Sequence, residues 1–144
     1  MLGAVLDTNA YVSAVICPHG VPAQIVAAWR REEVRLIVCE EILAEVAEIL
    51  SLPRIRRKYP VTDEEVSRLL TGLRGAASCV PDAVVEPVVA ADPDDDAILA
   101  CAVAGRADFV VSGDPHLKEL KHHRGIPILS PREFLNLLRD RAER

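Results

Sequence analysis

Residues 92–114 read DPDDDAILACAVAGRADFVVSGD, and the two halves of this stretch follow different patterns. After four aspartates in five positions, apolar residues occupy nearly every place from Ala97 to Ala104, and a glycine follows at 105. That is the pattern of a helix with an acidic first turn, a body buried on most sides and a glycine stop. From Asp108 the pattern becomes a short continuous apolar run, Phe109-Val110-Val111, closed by Ser112-Gly113-Asp114. Continuous rather than alternating, it reads as a strand covered on both faces. A helix feeding such a strand is the repeating unit of a parallel α/β sheet.

The same alternation extends in both directions. GAVL (3–6) ending at Asp7, RLIV (35–38) and IPIL (126–129) are further continuous apolar runs and are expected as strands. Helices are expected over 22–32, starting at the first-turn proline Pro22; over 40–50, with apolar residues at 42, 43, 46, 49 and 50; over 63–73, with Gly72 and Gly75 at its end; and over 131–142. The stretch 76–91 is interrupted by prolines, with a short strand expected around 84–85. No repeat or long linker divides the 144 residues, so one domain spans 1–144. The fold class is therefore α/β: three layers, with a central parallel sheet, helices on both faces and right-handed crossovers. Ligands of such sheets bind beyond the carboxyl ends of the strands.

Half the residues are apolar and only five are aromatic, so the core is aliphatic. A net charge of −5 excludes a globally basic nucleic-acid-binding domain but not a local basic patch. Cys17, Cys39, Cys79 and Cys101 are widely separated, without a C-x-x-C pair. They read as small buried hydrophobes rather than as a zinc site or a disulfide framework. The apolar N-terminus lacks a basic region and is interrupted by Asp7, which makes a poor signal peptide, and no run of about 18 apolar residues is present to span a bilayer. A cytoplasmic location without membrane association is expected.

Asp7 and Asp114 fall at the carboxyl ends of expected strands, on the functional edge of the sheet. Either alone is equally an ordinary turn or N-cap aspartate. On the 40–50 helix, Glu45 lies roughly 40° outside the apolar arc, nearer to it than Glu40, Glu41 or Glu48. It reads as an inward-reaching acid or as a boundary residue with its head in water. Asp92 before Pro93 fits an N-cap, and Asp95 completes an aspartate version of the capping box. Asp96 is least explained by capping, because it lies on the side of Leu99, Ala100 and Val103 at the start of a buried helix. Asp7, Glu45, Asp96 and Asp114, brought together, would repel one another unless protonated or bridged by a cation. An all-oxygen set suits Mg²⁺ or Mn²⁺, which polarise a phosphoryl oxygen and activate water for in-line attack on a phosphodiester.

Together VLDTN (5–9), the Glu45 helix ILAEVAEIL, DPDDDAILACAVAGRADFVVSGD and the closing IPILSPREFL (126–135) resemble PIN-domain ribonucleases. The resemblance is to the branch related to VapC-type toxins of type II toxin–antitoxin systems, and it spans essentially the whole chain. It implies that Asp7, Glu45, Asp96 and Asp114 form the catalytic, metal-holding set. It also implies that Asn9 and Ser112 are polar positions that arrange the site and bind substrate. Further implications are a Mg²⁺- or Mn²⁺-dependent endoribonuclease acting on RNA and leaving a 5′-phosphate and a 3′-hydroxyl, a homodimer, and an antitoxin partner. Pro115 departs from the family, which often has Lys or Arg there, and so removes a phosphate-facing cation.

RIRRKYP (54–60) is basic and reads as a solvated loop or as an RNA contact with Tyr59 stacking on a base. KHHRG (121–125) reads as a cationic helix end. His19 and His116 read as loop bystanders. The rival function is a PIN-like RNA- or protein-binding module with little turnover. The presence of all four acids favours the enzyme, since a scaffold has no use for a repulsive cluster.

Overall fold

The computed structural model describes residues 1–81 and 93–142. In chain order it runs β1 (Gly3–Leu6), α1 (Thr8–Ile16), α2 (Val21–Arg30), β2 (Arg35–Val38) and α3 (Glu40–Leu50). Next come α4 (Pro53–Lys58), α5 (Asp63–Ala76), β3 (Ser78–Cys79), α6 (Pro93–Ala104) and β4 (Phe109–Val111). The chain closes with α7 (Pro115–Leu120), β5 (His122–His123), β6 (Ile126–Leu129) and α8 (Pro131–Ala142). The strand expected around 84–85, and Asp92 with its capping role, lie outside the described residues.

The strands assemble in the order β3-β2-β1-β4-β6-β5. Every pairing is parallel except β5 with β6. The connections from β1 to β2 and from β2 to β3 move one way across the sheet, and the connection from β3 through α6 to β4 returns the other way. Right-handed crossovers then put their helices on opposite faces. The expected three-layer α/β architecture is the one observed. Its topological switch point, where ligands of such sheets bind, falls between β1 and β4.

All four residues of β1 are buried, as are Leu36, Ile37 and Val38 of β2. Ile42, Leu43, Val46 and Leu50 of α3 and Val66, Leu69, Leu70 and Leu73 of α5 close the core on the helical side. The core is almost wholly aliphatic, with Tyr11, Trp29 and Phe134 as its buried aromatics. No single helix among the described residues is long and apolar enough to cross a membrane.

Several expectations are corrected. Helix α5 runs through Gly72 and Gly75 to Ala76 rather than stopping at them, because its apolar stripe stays packed as far as Leu73. The basic stretch 54–60 is mostly a helix, α4, started by Pro53. Of KHHRG, only Lys121 stands at a helix end, as the C-cap of α7. His122 and His123 pair with β6, and Arg124 and Gly125, both at positive φ, make the two-residue hairpin turn. Only Cys39 and Cys101 are buried, whereas Cys17 and Cys79 are exposed. Helix α6 is buried along its middle but exposes Val103 and Ala104.

Candidate active site

Strand β1 pairs with β4 through Ala4, Val5 and Leu6, and the Asp7 amide donates to the Val111 carbonyl just beyond that ladder, at 3.1 Å. This register sets Asp7 beside Ser112 at the switch point. Asp7 is 5 % exposed. Its Oδ1 accepts the Ala10 amide at 2.8 Å, which caps α1, and its Oδ2 accepts the Ser112 hydroxyl at 2.6 Å. The Ser112 oxygen in turn accepts the Asp114 amide at 3.0 Å. Asp114 caps α7, its Oδ1 accepting the His116 amide at 2.7 Å.

A cleft of about 390 Å³ opens over this group, lined by Asp7, Asn9, Gly113, Asp114, Pro115 and Pro131 among others. Asp7 and Asp114 thus border one cavity. Loss of solvent is the main cause of the rise in the Asp7 pKa above its ordinary value. The hydrogen bonds from Ser112 and Ala10 oppose that rise, and the nearby charge of Asp114 adds to it.

Glu45 is half-buried, whereas Glu40, Glu41 and Glu48 are exposed. Its Oε2 accepts the hydroxyl of Thr8 at 3.2 Å, so α3 is tied to the residue directly after Asp7. Asp96, on the first turn of α6, is 6 % exposed, and α6 packs against β1 and β4. Thr8, itself buried, escaped the sequence reading, although its place inside the LDTN stretch was the available signal. Asn9 is exposed on the cleft wall. Ser112, expected to touch substrate, is completely buried with its hydroxyl engaged on both sides. It therefore orients the Asp7 carboxylate and holds the Asp114 backbone rather than reaching into the cleft. Behind Asp7, the Tyr11 hydroxyl is buried without a hydrogen-bond partner among the described residues, and burial pushes its pKa up, so it stays neutral.

No group of three or more His, Cys, Asp or Glu side chains among the described residues is assembled to hold a metal ion. The donors that do border the cleft are carboxylate oxygens, one of them largely desolvated. That chemistry fits a hard divalent cation and not zinc.

A model of the PIN domain matches residues 3–116 of this sequence. The chain belongs to the PIN-domain family. Among its relatives, an uncharacterized protein of Methanocaldococcus jannaschii is 26 % identical over 141 residues, covering 91 % of this chain and 88 % of that one. A chain of the VapBC2 complex from Rickettsia felis, solved bound to a DNA fragment from its promoter, superposes with a TM-score of 0.60. It is 16 % identical, and the match covers 90 % of this PIN-domain chain and 98 % of the other. At that identity the likeness is one of fold.

Proposed function

We propose that this PIN-domain protein is a Mg²⁺- or Mn²⁺-dependent endoribonuclease and the toxin of a type II toxin–antitoxin pair. The observation that carries the reading is Asp7, buried at the β1/β4 switch point and joined to Asp114 through Ser112 on the wall of one cleft. Desolvating a carboxylate beside a second one is costly, and a bound cation offsets that cost. Asp7, Asp96 and Asp114 would hold the ion, with Glu45 coordinating it or orienting water. When bound, such an ion supplies Lewis-acid polarisation of the scissile phosphoryl group and lowers the pKa of the attacking water.

The protein's own residues supply the positioning. The Ala10 amide and the Ser112 hydroxyl fix both oxygens of Asp7, and Thr8 holds the Glu45 carboxylate. Asn9, exposed on the cleft wall, would donate to a phosphodiester oxygen. The products would be a 5′-phosphate and a 3′-hydroxyl. The toxin role and the antitoxin partner draw support from the fold likeness to a chain of a VapBC complex over 90 % of this sequence, and the homodimer rests on the family resemblance alone.

The test is incubation of the purified protein with structured RNA and Mn²⁺, with and without chelator, beside Asp114→Asn. Metal-dependent cleavage that Asp114→Asn abolishes is the expected result. RNA binding without turnover would select the rival binding module instead.

A further inference from the structure

Residues 51–62 contain no acidic side chain, in a chain whose net charge is −5. Four of the six residues of α4 are basic: Arg54, Arg56, Arg57 and Lys58. Arg56 is used within the fold. Its Nε donates to the Leu50 carbonyl at 2.7 Å, its Nη1 to the Val61 carbonyl at 3.2 Å, and its Nη2 pairs with Asp63 at 2.9 Å. These bonds tie α4 to the end of α3 and the start of α5, while Ile55 and Tyr59 pack against the core. The helix is therefore held in one orientation.

Arg54, Arg57 and Lys58 are exposed. No carboxylate among the described residues pairs with them; the ion pairs there are Arg31–Glu33, Arg56–Asp63 and Arg74–Glu40. A favourable dipole accounts for Arg57 and Lys58 in the last turn but not for Arg54, whose place in the first turn opposes it. The Lys58 ammonium sits 5.5 Å from the centre of the Tyr59 ring. That face is occupied by the chain's own cation, so base stacking on Tyr59 is not what α4 offers. It offers the guanidinium forks of Arg54 and Arg57, whose geometry matches phosphate oxygens.

We propose that α4 is a phosphate-contacting surface that holds the RNA backbone independently of sequence while the cleft acts on it. This rests on the endoribonuclease reading above. Seven residues separate Glu45 from Pro53, five of them helical, so α4 begins within about 20 Å of Glu45, in reach of one bound strand. An acidic protein is the other conceivable partner. Protein interfaces are built around a buried apolar or aromatic centre. The exposed face of α4 has none, because its one aliphatic residue beyond Pro53, Ile55, is turned to the core.

The test is fluorescence anisotropy of a labelled single-stranded RNA oligonucleotide, in chelator to prevent cleavage, across a salt titration. Arg54→Gln/Arg57→Gln is compared with Arg132→Gln/Arg141→Gln, an equal charge change on exposed positions of α8. Each lost phosphate contact removes about 0.7 from the slope of log K against log salt. The α4 double variant should therefore lose about 1.4 units of slope and roughly tenfold in affinity near 0.1 M salt, while the α8 variant follows wild type. If both variants follow wild type, or both fall equally, the α4 proposal is overturned and the RNA reading stands; the first result is also what an acidic-protein surface predicts. Wild type that binds no RNA at low salt overturns both. Wild type that binds through α4 yet cuts nothing in Mn²⁺ overturns the endoribonuclease reading alone.

Discussion

Oδ1 of Asp7 caps α1 while Oδ2 takes the Ser112 hydroxyl, so the ordinary N-cap reading describes one oxygen of this aspartate and leaves the functional reading to experiment. Asp7→Asn keeps the cap, because Asn serves that position as well as Asp. It removes a charge from the cleft, so metal-dependent RNA cleavage should fall by about 100-fold or more while the fold survives. Unchanged cleavage would exclude Asp7 from the site. The same variant has a stability signature. The folded-state pKa of Asp7 is raised by burial, so the folded protein binds more protons than the unfolded chain. Stability from this group is complete below the unfolded value of about 4 and is lost as pH rises through the folded pKa. Above that pKa, in chelator, Asp7→Asn should melt higher than wild type, and the gap should close in acid. Ser112→Ala leaves both carboxylates in place but releases Oδ2 of Asp7 and the Asp114 amide, and should cost roughly 10–100-fold in metal affinity or activity. Titration of activity against Mn²⁺ reads that loss directly, and an unshifted curve would make Ser112 merely structural.

Gly105 shows how an element can end where expected for a different reason. The sequence presents it as a helix-stopping glycine, yet the positive φ belongs to Arg106. What Gly105 provides is space, since a Cβ there would collide with the Ile37 methyl and press on the Cys101 carbonyl and Val80. Gly105→Ala should therefore destabilise the fold by about 1–3 kcal/mol through overpacking between α6 and β2, measured by denaturant unfolding. A neutral or stabilising result would mean that only helix propensity matters there. The strands β1, β2, β4 and β6 were legible because continuous apolar runs identify strands covered on both faces. Helix α3 was legible because one apolar stripe at helical spacing fills it. Helix α1 was not, since Thr8, Ala10, Tyr11 and Val12 are all buried and a helix covered on most sides leaves no amphipathic period. Helices α4 and α7 are six residues each, too short for periodicity to register, although Asp114-Pro115 carried the cap-and-proline signal. The hairpin at Arg124-Gly125 lacks the Asn-Gly or Asp-Gly signature of its turn.

Strand order is the part of this molecule that no local pattern encodes. Asp7 and Asp114 could each be placed at a carboxyl edge from sequence, but β1 pairing with β4 makes that edge one site. The roles of Ser112 and Thr8 follow only from that pairing and from α3 lying beside α1. On the proposed reading, cation binding would be a property of the folded state, because the acids come from the ends of β1 and β4 and from α3 and α6 and are dispersed in the unfolded chain. An ion that binds only the folded protein stabilises it by about 2.7 kcal/mol at one hundred times its dissociation constant. For 144 residues that is a rise of roughly 5–10 °C in melting temperature. Mn²⁺ should therefore raise the melting temperature relative to chelator at pH 7.5, and Mg²⁺ should do so at higher concentration. Asp96 supplies the discriminating variant, being buried at the start of α6, where an acid also complements the helix dipole. If it holds the ion, Asp96→Asn shrinks the Mn²⁺-induced rise by at least half, whatever it does to the melting temperature in chelator. If it only complements the helix dipole, the variant melts lower in chelator, by the equivalent of about 0.3–1 kcal/mol, and keeps the full metal response. Melting curves of both proteins under the two conditions separate these outcomes, and an undiminished response would remove Asp96 from the metal-holding set.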